Sequence, residues 1–317
     1  VKAQNDFLLC VTVILSLDLP VRKISFRGRK SNKMGGKKST PTPPEDFDKP
    51  WRNVDWNGRD QLEANLREFT IRHAEITNLR ILVHGAVGAG KSSFINSANS
   101  VFQHRVTDRA GEASSSSTSH TKRYKSYRIW DENDTNLPFI FNDIMGLEDK
   151  RTSGIHTDDI INAMLGHVRE NYTFNPACPL RDGDPGYINT PTLNDKVHCL
   201  VSVMSAQTLP VMYDSVIKSI KDVREKASDR GIPQVLILTH IDECCPLVKK
   251  NLRKVCLSKK IKEKMCECSD RLGIPMNCIF PVKNYHEESD TNNDADVLVL
   301  LALRKILNCA NDYVREL

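Results

Sequence analysis

No apolar run in the 317-residue chain is long enough to cross a bilayer. The one nearest the start, residues 7–17, has about half the length that a spanning helix needs. It has the size of a signal-peptide core, but only Lys2 precedes it and no small-residue cleavage site follows, so export is not expected. The ten cysteines contain no CxxC pair. Cys266 and Cys268 form a CxC with no second Cys or His pair at ligand spacing, which argues against a structural zinc site. Their irregular spacing, with Cys199, Cys278 and Cys309 inside apolar runs, speaks against a disulfide framework and for reduced thiols in a cytoplasmic setting. Aromatics are scarce at 6%, no aromatic-rich binding surface is visible, and specific nucleic-acid binding is not expected.

What is present is an ordinary globular composition with a sizeable core, 39% hydrophobic and 27% charged. The net charge of +5 is unevenly placed, because residues 1–38 hold nine Lys/Arg against Asp6 and Asp18. The basic character therefore belongs to an arm and not to a folded surface. With Gly35-Gly36 and a Pro/Thr stretch behind it, residues 1–50 read as a largely disordered basic tail. Residues 51–317 read as one domain. Within the tail, Met34-Gly35-Gly36-Lys37-Lys38-Ser39 fits the N-myristoylation pattern. With initiation at Met34, an acylated Gly35 and the adjacent lysines would give weak membrane contact; the alternative is a Gly/Lys linker.

Beyond Trp51 the pattern alternates. Leu62, Leu66, Phe69 and Ile76 recur at helical spacing over residues 60–76. Strands are expected at 79–84, 124–130, 138–142, 197–205, 234–239 and 277–282. Helices are expected at 90–104, 155–170, 213–228, 247–272 and 295–317. Apolar strands alternating with helices predict an α/β fold of three layers with a mostly parallel central sheet. Residues 171–196, with four prolines and no periodicity, form an insertion too long for an ordinary connection.

Gly85-Ala86-Val87-Gly88-Ala89-Gly90-Lys91-Ser92 fits G-x-x-x-x-G-K-[ST] between a strand and a helix, the setting of a phosphate-binding P-loop. Glycines let successive N–H groups turn toward phosphate oxygens, and the helix N-terminus adds its positive end. Gly85, Gly88, Ala89, Gly90 and Ser93 are thus expected at the nucleotide, Lys91 on its β/γ-phosphates and Ser92 on magnesium. Asp143-Ile144-Met145-Gly146 fits D-x-x-G at a strand end, placing Asp143 on the metal and the Gly146 N–H on the γ-phosphate. Thr239-His240-Ile241-Asp242 follows a strand where GTPases carry [NT]-K-x-D; Asp242 would take the guanine N1–H and amine, with His240 in place of lysine. Val282 and Lys283 end the last strand, where a further base contact is expected. Thr121, with Thr118 as fallback, is the candidate switch threonine and second metal ligand, behind Ser114–Ser117. No glutamine follows Gly146. Leu147 stands there and cannot orient an attacking water, so hydrolysis is expected to be slow, to use Glu148 or His156, or to need a partner. The expected ligands are GTP or GDP with Mg2+. The competing readings are a nucleotide switch read by a protein effector and a scaffold that does not hydrolyse.

The stretches LRILVHGAVGAGKSSFINS, LPFIFNDIMGLE, VHCLVSVMSA, GIPQVLILTHIDE and PMNCIFPVKNYHEE resemble the interferon-induced protein 44-like family, a GTPase-like P-loop group. The resemblance runs from about Trp51 to the C-terminus. It implies an interferon-inducible, cytoplasmic protein of innate antiviral defence with GTP binding. Longer members carry a further N-terminal domain that residues 1–50 do not resemble, and catalysis is left open by Leu147 and His240.

Overall fold

The computed structural model describes residues 46–111, 122–149 and 154–317. Six runs rich in Val, Ile, Leu and Phe form the strands β1 (Leu79–Gly85), β2 (Lys125–Trp130), β3 (Asn136–Asp143), β4 (Cys199–Ser205), β5 (Gln234–Thr239) and β6 (Ile279–Pro281). They make one sheet in the order β2-β3-β1-β4-β5-β6. Only β2 runs antiparallel to its neighbour. The helices are α1 (Arg59–Arg67), α2 (Lys91–Gln103), α3 (Thr157–Met164), α4 (Asp214–Ser228), the short α5 (Ile241–Cys244) and α6 (Pro246–Lys250), α7 (Lys259–Leu272) and α8 (Asn293–Val314). None is long and apolar enough to cross a membrane.

Strand alternation divides the core in two. Ile81 and Val83 face α1, α2 and α8, where Phe94, Phe102, Phe139 and Phe141 are fully buried. Leu82, Leu200 and Leu236 face α3, α4 and α7. Burying one such phenylalanine contributes roughly 2–3 kcal/mol, so the sheet is fixed from both sides. This is the three-layer P-loop architecture that the sequence predicts. From β1 the chain passes through α2 to β2 and β3 on one side, then through α3 to β4 on the other. The strand order reverses around β1, which opens a crevice at its carboxyl end.

Three helices differ from expectation. α1 stops at Arg67, because Asn311 on α8 takes the chain over: its Nδ2 donates to Thr70 O and its Oδ1 accepts from Arg72 N. α3 stops before Gly166, whose φ of 83° no helix continues. Residues 247–272 are broken, since Ser258 caps α7 by accepting from Ile261 N. The segment 171–196 contains no helix or strand but is held in place. Asn171, Tyr172 and Phe174 exchange backbone hydrogen bonds with residues 122 and 124, and Leu180 N donates to Asp159 on α3 at 2.8 Å. His198 is a satisfied buried histidine, with Nδ1 accepting from Arg80 N and Nε2 donating to Leu193 O. All nine described cysteines are free.

Candidate functional site

Positive φ at Gly85, Gly88 and Gly90 winds residues 85–92 around the end of β1. Gly90 caps α2 with φ 86°, and a Cβ there would come within 2.9 Å of the Asn284 amide. The amides of Gly88, Gly90, Lys91 and Ser92 meet no backbone acceptor among the described residues, as an anion-binding turn requires. Lys91 is only 7% exposed and reaches back under the loop, donating to Ala86 O at 3.0 Å and Gly85 O at 3.3 Å. Burial pushes its ammonium down and the Asp143 carboxylate opposes this. Ser92 Oγ donates to Asp143 Oδ2 at 2.7 Å. A hydroxyl and a carboxylate oxygen so close are hard oxygen donors of the kind a divalent cation takes, so these two residues fit magnesium, while the ammonium suits the phosphates.

The Gly146 segment lies directly against this loop. Val87 N donates to Leu147 O at 3.1 Å and Leu147 N to Gly85 O at 3.0 Å. A Cβ on Gly146 would meet Val87 at 2.6 Å, so only glycine permits the approach. Leu147 is buried at 4% exposure. Its neighbours Glu148 and His156 line one cleft of about 370 Å³ beside it. Ile155 N donates to Gly146 O, which keeps His156 close, and His156 Nδ1 accepts from Asp158 N at the start of α3.

A second cleft, of about 480 Å³, is lined by Ser93, His240, Asp242, Lys283 and Asn284 among others. Asp242 lies in the first turn of α5 and is not its cap; the cap position is His240, at φ 52°. That turn brings the His240 ring back to Thr239. Thr239 Oγ1 stands 2.7 Å from Ala89 O and 3.2 Å from Met204 O, both able only to accept. Its single proton therefore goes to a carbonyl, and the 2.9 Å contact with His240 must be donated by Nδ1–H. His240 Cε1 lies over Gly90, so an imidazole stands where a lysine would bring its side chain. Val282 is buried, its N–H donating to Leu238 O. Lys283 is committed to Glu288. Burial raises the Glu288 carboxyl, yet the Lys283 ammonium and backbone amides hold it down at about 2.

Thr118, Thr121 and the Met34–Ser39 motif lie outside the described residues. Of the remaining expected residues, Gly85 to Ser92, Asp143 and Gly146 meet at one end of the crevice, and Ser93, His240, Asp242 and Lys283 line the other. Sequence reasoning missed two residues. Asn284 donates to Gly90 O at 3.1 Å, and its only signal was its place after the last strand. His84, fully buried just before the loop, shares a 2.7 Å hydrogen bond with Ser202. Burial and then the Lys91 charge lower its imidazole to about 3.

The chain is 34% identical over 260 residues to human interferon-induced protein 44, and 32% identical over 260 residues to human interferon-induced protein 44-like. Both alignments cover 82% of this chain. It is a homologue of these two proteins. The homologous region spans 58% and 57% of their lengths, so the chain corresponds to a little over half of each. No family model matches. Among solved structures, Toc33 from Arabidopsis thaliana with GDP and Mg2+ is similar at TM-score 0.43 and 14% identity, covering 81% of this chain and 97% of that one. A probable GTP-binding protein engB is similar at TM-score 0.39 and 11% identity, covering 75% and 100%.

Proposed function

We propose that this homologue of interferon-induced protein 44 binds magnesium guanine nucleotide and acts as a cytoplasmic switch in the interferon-induced antiviral response. The observation that carries the reading is the convergence of Lys91, Ser92 and Asp143 at the turn from β1 into α2, with Ser92 Oγ 2.7 Å from Asp143 Oδ2. Lys91 would neutralise β/γ-phosphate oxygens, the amides of residues 88–92 would hold them, and Ser92 and Asp143 would share the magnesium. Asp242 favours guanine, because adenine offers no donors at the corresponding edge. The interferon-induced setting is supported by the relatives' names, and the cytoplasmic one by the free thiols.

Hydrolysis, in this reading, is slow or partner-dependent, with Glu148 and His156 as the groups near enough to act. The second reading, a scaffold that holds nucleotide without turnover, is favoured by the buried Leu147. Calorimetric titration with GTP, GDP and ATP, with and without Mg2+, tests the proposal. Wild type should prefer guanine nucleotide and magnesium, and Lys91→Ala should lose at least a hundredfold in affinity. Equal affinity for both purines removes the guanine assignment, and an unaltered Lys91→Ala removes the phosphate site as well. A turnover assay on the same protein separates switch from scaffold.

A further inference from the structure

We propose that the open end of the sheet, beyond β6, is a docking groove for an acidic amphipathic helix of a partner protein. β6 has three residues and, among the described residues, no strand pairs with its outer edge. Arg52 closes that edge instead. Its guanidinium donates to Ile279 O at 2.9 Å and to Met276 O at 2.8 Å, and it lies over the Phe280 ring at 4.9 Å and the Trp51 ring at 5.3 Å. An incoming strand would find these carbonyls taken, so addition of a strand is blocked.

Above this edge lies a groove of about 580 Å³ walled by two helices. α8 presents Leu298, Leu301 and Arg304 at three-residue spacing, which is one helical face. α7 presents Lys262 and Cys266 one turn apart, and Trp51 and Phe280 supply the aromatic floor. Leu298 belongs to one core and the half-buried Leu301 packs against the other, so the groove wall is backed by both halves of the interior. Among the described residues no Asp or Glu lines the groove, while Arg52, Lys262 and Arg304 all do. None of the three enters an ion pair among the described residues. An apolar trough between helices takes an apolar helical stripe, and cations on opposite walls match carboxylates on both flanks of that stripe. A lipid headgroup would instead call for cations converging on one point.

The test uses the full chain and two labelled helical peptides with the same leucine stripe, one flanked by glutamates and one by lysines. Fluorescence anisotropy should show the glutamate peptide binding at least tenfold more tightly. The double variant Lys262→Glu/Arg304→Glu should invert that order, with its circular dichroism unchanged. The proposal is overturned if neither peptide binds, if both bind equally, or if the preference survives the double variant. It is also overturned if the same variant abolishes binding to phosphatidylserine vesicles without affecting the peptides, or turns a wild-type dimer into a monomer. Those results would assign the groove to lipid or to a second copy of the chain.

Discussion

His84 places an imidazole in the interior, one residue before the phosphate loop, with Ser202 as hydrogen-bond partner and the Lys91 ammonium nearby. The folded ring refuses a proton until about pH 3, whereas an unfolded histidine accepts one near 6.5. Between those values the unfolded chain binds more protons, so stability falls as pH falls, by roughly 3 kcal/mol at pH 4. His84→Gln keeps a donor for Ser202 and removes this dependence. Urea titrations between pH 7 and 4 should show a shallower acid loss in the variant, and parallel curves would refute the assignment. At the other end of the crevice, His240 places an imidazole where GTPases carry a lysine. His240→Lys should therefore tighten GDP binding about tenfold, or ~1.4 kcal/mol. Calorimetry showing equal or weaker affinity would mean that the ring already does the lysine's work.

The least regular element, the segment 171–196, is fastened to α3, the helix that His156 caps. Asp159 Oδ1 accepts from Leu180 N, and Asn162 Nδ2 donates to Leu180 O, both at 2.8 Å. One turn of α3 thus grips a single residue, Leu180, by both its N–H and its C=O. Burial raises the Asp159 carboxyl to about 6, against the pull of the Leu180 amide. Its folded pKa lies above the unfolded 3.8, so the contribution is favourable at low pH and is lost as pH rises through 6. Asp159→Ala should speed amide exchange across residues 172–188 and leave α8 unchanged; equal exchange in both proteins would show that the grip carries no load. The strands were legible in the sequence because buried parallel strands are continuous apolar runs, and the glycine-lysine turn because its spacing is tied to phosphate. Helix ends were not. Ile76 keeps the period of Leu62 and Leu66 although Asn311 has already drawn the backbone away. Order in 171–196 depends on partners far along the chain, and Asn284 is defined only by its reach to Gly90.

Across the whole molecule, polar groups bind the helical layer to the sheet's antiparallel side. The buried Glu63 on α1 accepts from Arg59, Arg67 and His104, while Arg59 also reaches Asp296 and Arg67 reaches Asp131 and Glu132. Glu63, His104 and Glu132 bring three possible ligand atoms within 4.8 Å of one another. The two guanidinium groups already neutralise them, so the cluster is an ion-pair network joining α1, the end of α2 and the β2–β3 turn. Opposite this braced side, the sheet ends at three-residue β6 with its basic groove, so one side of the molecule is braced by charge pairs and the other carries cations that enter no ion pair among the described residues.

The phosphate loop is held on one flank by the Gly85 and Val87 bonds to Leu147, and on the other by the Ala89 and Gly90 carbonyls, which are moored to Thr239 at the end of β5 and Asn284 beyond β6. The loop is therefore a span fixed at both banks, and not a free hinge. Tension applied at one bank is felt at the other, so a nucleoside lodged near Asp242 would stiffen the turn proposed to receive its phosphates, and a bare pyrophosphate would still the shelf proposed for the base.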